Sequence, residues 1–225
     1  MSAVYSSPMF GILLCVFTFE IGRYLNRKLK TPLANPLLIA IALSIAYLQV
    51  FRVPLENFQI GGKMISMFLA PSTAVIAVSI YSQLDILKKN FLPILAGCFA
   101  GAVTSIVSVV TLCKVFGLSD ELTASLIPKS VTTPIAMEVS RQQGGIVSIT
   151  VAAVIVTGIM GAIFAPVLIK IFRVKDSVEA GIAIGTCSHA LGTTKAIEIG
   201  EVEGAMSGIA IGVTGIITVV LAMFL

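Results

Sequence analysis

Apolar runs of helical length follow one another along the whole chain, separated by short polar turns. They cover approximately residues 8–24, 36–51, 61–83, 91–116, 120–141, 146–169, 177–200 and 204–225. At about 1.5 Å of rise per residue, such runs cross or nearly cross a hydrocarbon core of about 30 Å. None has the strict alternation of apolar and polar positions that a membrane-barrel strand needs. The pattern predicts an all-α polytopic protein with a single integral membrane domain over residues 1–225. About six full transmembrane helices are expected, with re-entrant or broken helices in addition.

Three runs carry interruptions. Residues 61–83 contain Leu69-Ala70-Pro71-Ser72-Thr73, residues 126–137 read LIPKSVTTPIAM, and residues 181–198 read GIAIGTCSHALGTTKAIE. Pro128 and Pro134 each remove a backbone donor and clash with the preceding turn, and a lysine at membrane depth is costly unless its charge is compensated. Thr133 is placed as N-cap and Pro134 as first residue of a half-helix running through Glu138 to Arg141. Its free N–H groups and dipole then face the same spot as Lys129, which is how a membrane protein builds a small-anion site. A single break is a common packing kink. Three breaks, two of them holding a lysine or histidine among hydroxyls, point to a substrate site between half-helices.

Basic residues orient the runs. Arg23, Arg27, Lys28 and Lys30 form one cluster, Lys88 and Lys89 a second, and Lys170, Arg173 and Lys175 a third. Basic loops stay cytoplasmic, which puts the N-terminus outside. If residues 120–141 and 146–169 both spanned, the third cluster would fall on the wrong side. Residues 120–141 are therefore expected to enter from outside, turn near Pro128 and Pro134, and leave again as a re-entrant hairpin. Residues 1–24 lack the basic start of a cleavable leader, so the first helix is expected to remain in the mature protein. Gly97 and Gly101, and Gly204, Gly208 and Gly212, lie at four-residue spacing suited to close helix contact.

Composition agrees with this pattern. The 225 residues are 57% hydrophobic and 12% charged, against about 25% charged in a soluble domain. The net charge of +4 is carried in the loop clusters, which read as orientation signals and imply no nucleic-acid partner. Cys15, Cys98, Cys113 and Cys187 are dispersed in apolar sequence and read as small packing residues, with no metal or cofactor site.

Lys129 has two readings: it pairs with a substrate carboxylate, or it snorkels to the interface. Ser130, Thr132 and Thr133 either donate to that carboxylate or bond nearby backbone carbonyls. Ser72 and Thr73 in the first break, and Ser188, His189, Thr193 and Thr194 in the third, complete the substrate-binding candidates. His189, the single histidine, ordinarily titrates near ~6.5 and suits proton-coupled anion uptake. Glu138 and Glu20 are the other proton-coupling candidates, although Glu138 can instead pair with Arg141. Adjacent Ser188 and His189 do not make a hydrolase, because no GxSxG elbow and no orienting acid at motif spacing accompany them. No enzymatic activity is expected.

The quoted strings identify a family. NPLLIAI (35–41), LAPSTAVIAVSIY (69–81), SLIPKSVTTPIAMEVS (125–140) and GIAIGTCSHALGTTKAIE (181–198) make the chain resemble the LrgB/CidB family of bacterial membrane proteins over nearly its whole length. It departs at Ala70, where the family pattern has Gly, and at Thr194-Lys195, where Ala-Arg is usual. Neither departure removes a proposed ligand. The resemblance implies a multi-pass protein of the cell (inner or plasma) membrane. It further implies a holin- or antiholin-like modulator of murein hydrolase export and autolysis that works with a smaller LrgA/CidA-like membrane protein, as a homo- or hetero-oligomer. It also implies a carrier of short carboxylates, since relatives resemble carriers of pyruvate and a plastid relative moves glycolate and glycerate. The residues favour the carrier: a pore-forming holin needs amphipathic oligomerising helices, not a lysine and histidine beside helix breaks.

Overall fold

The computed structural model describes residues 5–29, 35–68, 71, 74, 78, 81 and 84–225. The chain divides into two compact units, residues 1–73 and 74–225, and the described residues contain helix and no strand.

In the first unit, α1 (Pro8–Leu29), α2 (Pro36–Val50) and α3 (Leu55–Ser66) pack together. α1 runs beyond the expected residue 24, so Arg23, Arg27 and Lys28 lie on its last turns and not in a loop. α2 starts where the Asn35-Pro36 turn predicts: the Asn35 carboxamide oxygen accepts from the N–H groups of Leu37 and Leu38 at 2.9 and 3.4 Å, and Pro36 occupies the first turn. Its 15 residues give a length of only about 22 Å. α1 and α3 approach closely at paired glycines. A Cβ on Gly11 would lie 2.6 Å from the Phe58 carbonyl oxygen and 3.1 Å from the Gly61 Cα.

The second unit holds α4 (Leu84–Lys89), α5 (Phe91–Val115), α6 (Asp120–Leu126), α7 (Thr133–Gln142), α8 (Val147–Ile171), α9 (Ser177–Ile199) and α10 (Glu201–Ala222). α5, α8 and α10 are long and apolar enough to cross a membrane, as is α1, which makes four such helices among the described residues. Eleven of the 23 residues of the expected span over 61–83 lie outside the described residues, as does Lys30.

Between α5 and α8 the chain forms the expected hairpin. Asp120 at the start of α6 and Gln143 just after α7 line one cavity of about 760 Å³. Lys114 of α5 and Ala222 of α10 line it too, so both arms begin and end at the end where those two helices finish. The return is fastened by hydrogen bonds: the Ile146 N–H donates to Ser125 Oγ (2.7 Å), Thr150 Oγ1 to Ser140 Oγ (2.6 Å), and Gln143 Nε2 to the Ala222 carbonyl (2.6 Å).

α9 is a second hairpin, entered from the opposite end. Its helix pattern breaks at His189, with φ 43° and ψ −143°. Gly181 in its first arm and Ile197 in its second both pack against the opening turns of α10: a Cβ on Gly181 would sit 2.6 Å from the Glu203 carbonyl oxygen, and one on Gly204 2.7 Å from Ile197 Cγ1. Both arms thus lie at the start of α10. A straight helix would separate Gly192 from Ile184 by two turns, yet a Cβ on Gly192 would touch Ile184 Cγ2 at 3.2 Å. The second hairpin is held at close-packed glycines. Gly97 and Gly101 of α5 face Ile182 and Thr186, as their spacing predicts. The Gly204, Gly208 and Gly212 stripe is used only in part, since nothing lies within 4 Å of a Cβ on Gly208; the closer approach to α10 comes from Gly181 and Gly185 of α9.

Candidate functional site at the hairpin tips

The two tips converge on the middle of the same three long helices. On α5, Ser105 bonds Ser130 of the first hairpin and Gly101, one turn earlier, packs under Thr186 of the second. On α8, the Val154 side chain packs with Val131 of the first tip and Ala136 of α7, while its carbonyl accepts from His189 of the second. On α10, Gly215 touches Ile135 and Thr214 bonds Thr186.

The first tip spans residues 127–132. α7 begins one residue earlier than the sequence suggests. Thr132, not Thr133, is its N-cap, and Pro134 is its second residue and not its first, a shift within the ordinary uncertainty of helix ends. The Thr132 hydroxyl does not cap the helix. It is buried, with Thr132 only 6% exposed, and has no hydrogen-bond partner, a state that costs free energy unless a ligand or water supplies the bond. Lys129 is half-buried and its ammonium donates to Ser105 Oγ (3.3 Å) and Ser130 Oγ (3.2 Å); those two hydroxyls share a further bond of 2.9 Å. Among the described residues Lys129 has no carboxylate partner. Two serines hold the ammonium, one of them near the middle of α5.

At the second tip His189 is buried, 3% exposed, and its Nε2 lies 2.9 Å from the Val154 carbonyl. A carbonyl only accepts, so this nitrogen carries the proton. Thr193 donates to the His189 carbonyl (3.0 Å) and shares a 2.7 Å bond with Ser207. Ser188 is buried against the α8 backbone, where a Cβ on Gly161 would overlap its Oγ. Thr194 is exposed and donates to the Ala190 carbonyl at 3.3 Å. Ser188 is thus engaged in packing and Thr193 in internal hydrogen bonds.

Other candidates stand apart. Glu138, whose side chain is 54% exposed, pairs with Arg141 at 2.7 Å and accepts from Gln142 at 3.0 Å. Glu20 pairs with Arg23 at 2.7 Å, with both side chains half exposed. Neither is the buried acid that the sequence suggests. Ser72 and Thr73 lie outside the described residues. Cys98 and Cys113 are core residues as expected, but Cys187 is exposed. Sequence reasoning also missed Ser105, Thr186 and Thr214. Thr214 donates to Thr186, and Thr186 to the Cys98 sulfur, in a buried chain joining α10, α9 and α5. The available signal was a hydroxyl inside each apolar run. No group of three or more potential metal ligands is found among the described residues.

A half-buried ammonium without a counter-charge, an unpartnered buried hydroxyl and the start of a ten-residue helix without a side-chain cap lie within a few residues of one another. Such a constellation attracts a small anion.

Comparison with known proteins agrees with the motifs. Residues 15–225 match the LrgB-like family. The antiholin-like protein LrgB of Bacillus mycoides (strain KBAB4) is 40% identical over 215 residues, covering 95% of this chain and 94% of the relative. The proteins of the same name from Bacillus cereus (strain B4264) and Bacillus anthracis (strain CDC 684 / NRRL 3495) match at the same identity and coverage. No solved structure matches. Matching the family over residues 15–225, and with four helices among the described residues long and apolar enough to cross a bilayer, the chain is a membrane protein that belongs to the LrgB-like family.

Proposed function

We propose that the hairpin tips form a binding site for a small carboxylate, and that the protein carries such acids of the pyruvate, lactate, glycolate and glycerate class across the cell membrane by alternating access. The observation that carries this reading is the Lys129 ammonium, held by Ser105 and Ser130 without a carboxylate partner where two oppositely entered hairpins meet. Broken helices meeting at mid-membrane are the usual architecture of a secondary transporter's site. The proposed ligand set is Lys129, Ser130, Thr132 and Thr133 with Ser105. His189, in the second break, is the proposed proton-coupling group. No bond of the substrate need be made or broken.

A second reading comes from the relatives, whose name is antiholin-like. In this reading, which the family resemblance implies, the chain regulates murein hydrolase activity and autolysis with a small LrgA/CidA-like membrane protein. The names support this reading better than the carrier, which rests on geometry alone. The two are compatible if autolysis responds to carboxylate traffic.

Purified protein in sealed vesicles, offered labelled pyruvate, lactate, glycolate and glycerate, separates them. Saturable uptake of at least one acid, competed by the others, is the expected result. Non-saturating leak of unrelated solutes, or no uptake with and without the small partner, refutes the carrier.

A further inference from the structure

We infer that the cavity at the first hairpin is the aqueous route by which the carried acid reaches the tips from the side on which that hairpin opens, and that Val219 of α10 limits passage along it. This rests on the carboxylate site proposed above and adds its access path. The cavity of about 760 Å³ has Lys114 and Asp120 at its outer end and Ile127 at its inner end. A smaller cavity of about 280 Å³ continues beside α7 from Gln142 and Glu138 to Ile135 and Pro134. Val139, Gln142 and Val219 line both, so the two spaces meet there. Ile127 is the first residue of the tip and Pro134 lies two residues beyond its last, so the inner ends bracket Lys129, Ser130 and Thr132. α7 keeps step with α10 along the route: Ile135 touches Gly215 at the inner end, and Gln143 bonds the Ala222 carbonyl at the outer end. From Pro134 to Gln143 the path is about 14 Å long.

Its lining requires water. Glu138 faces the smaller cavity with its side chain half exposed, paired with Arg141 at 2.7 Å and accepting from Gln142 at 3.0 Å. An exposed ion pair part-way down a re-entrant hairpin is costly in hydrocarbon and is tolerated where it lines a water-filled cavity. Of the two apolar residues common to both spaces, Val139 is buried in the core and Val219 is exposed. The width of the junction is therefore set by the Val219 side chain.

A cysteine introduced by Ile135→Cys, in the wall of the inner cavity, tests the route. In sealed vesicles its modification by the impermeant anion sulfonatoethyl methanethiosulfonate is followed by mass, with native protein giving the background and Gln143→Cys reporting the side on which the hairpin opens. Ile135→Cys should react from the same side as Gln143→Cys. Adding Val219→Trp should slow it roughly 10-fold or more, because bulk in a narrow passage raises the barrier, and adding Val219→Ala should speed it at least about twofold. Val220→Trp, at the next and also exposed residue of α10 but outside both cavities, is the control and should stay within about twofold of Ile135→Cys alone. Equal rates in the two tryptophan variants, reaction only from the opposite side, or a thiol that the charged reagent does not reach, as in a groove filled by lipid, overturns the inference. Should Val219→Trp fail to fold, Val219→Ala decides, and a rate no faster than that of Ile135→Cys alone overturns it. Saturable uptake should follow the same order, with Val219→Ala above native and native above Val219→Trp; uptake that ignores Val219 also overturns it. If modification follows Val219 but none of pyruvate, lactate, glycolate and glycerate is taken up, the aqueous route stands and the carboxylate reading falls.

Discussion

Lys129→Met removes a charge whose surroundings define what it can do. Two of the three ammonium N–H groups are directed at Ser105 and Ser130, at 3.3 and 3.2 Å, and the third has no partner among the described residues. One charge-assisted hydrogen bond to a carboxylate is worth about 1.5–3 kcal/mol, so apparent affinity should weaken by roughly 10- to 150-fold. The fold should tolerate the change. The Ser105–Ser130 bond of 2.9 Å needs no lysine, and among the described residues no ion pair is lost. The thermal midpoint in detergent should therefore stay close to native, because a charge costly to hold at that depth has been removed. Lys129→Arg should recover part of the affinity, since a planar guanidinium does not fit between two serines spaced for a compact ammonium. The assay is concentration-dependent uptake of the preferred acid into vesicles, with reconstituted protein quantified. A folded Lys129→Met protein whose half-saturation stays within about twofold of native would refute the reasoning, leaving any anion site to helix ends and hydroxyls.

Cysteines placed at Ser119 and Gln143 should react with an impermeant thiol reagent from the same side of the membrane, because both arms of the first hairpin open on one cavity; labelling from opposite sides would exclude the hairpin. Gly161→Val should lower the thermal midpoint and abolish saturable uptake, since any Cβ there overlaps Ser188 and overpacking of this kind costs about 1–3 kcal/mol. Gly208→Ala, with nothing within 4 Å of its Cβ, is the control and should melt as native; equal midpoints for the two variants would contradict the packing of the second tip. Uptake should decline as external pH rises through the range in which His189 loses its second proton, because a second N–H on Nδ1 must be present to accompany the anion. His189→Gln keeps a donor for the Val154 carbonyl but cannot titrate, so its profile should be flat; an unchanged profile in that variant would assign coupling elsewhere.

The interruptions of the chain were legible without a structure because backbone breaking is local. Pro128 and Pro134 forbid a continuous helix whatever surrounds them, and the excess basic charge at residues 170–175 required the intervening segment to return to its own side. The 181–198 string was legible as a break through its glycines and hydroxyls. That its turn falls at His189 and reverses the chain was decided by packing of Gly181 and Gly185 on α10 and of Ser188 on α8. Which polar groups meet was not legible either. Ser105 reaches Lys129 across 24 residues and His189 reaches Val154 across 35, and such pairings follow from helix register and crossing, which no local pattern encodes. Cys187 shows the limit most plainly. Its apolar neighbours in sequence suggested a packed thiol, but the sharp turn at residue 189 rotates it out of the core that buries Thr186 and Ser188. Exposure on a hairpin depends on which face the partner helices cover, and only the folded chain fixes that.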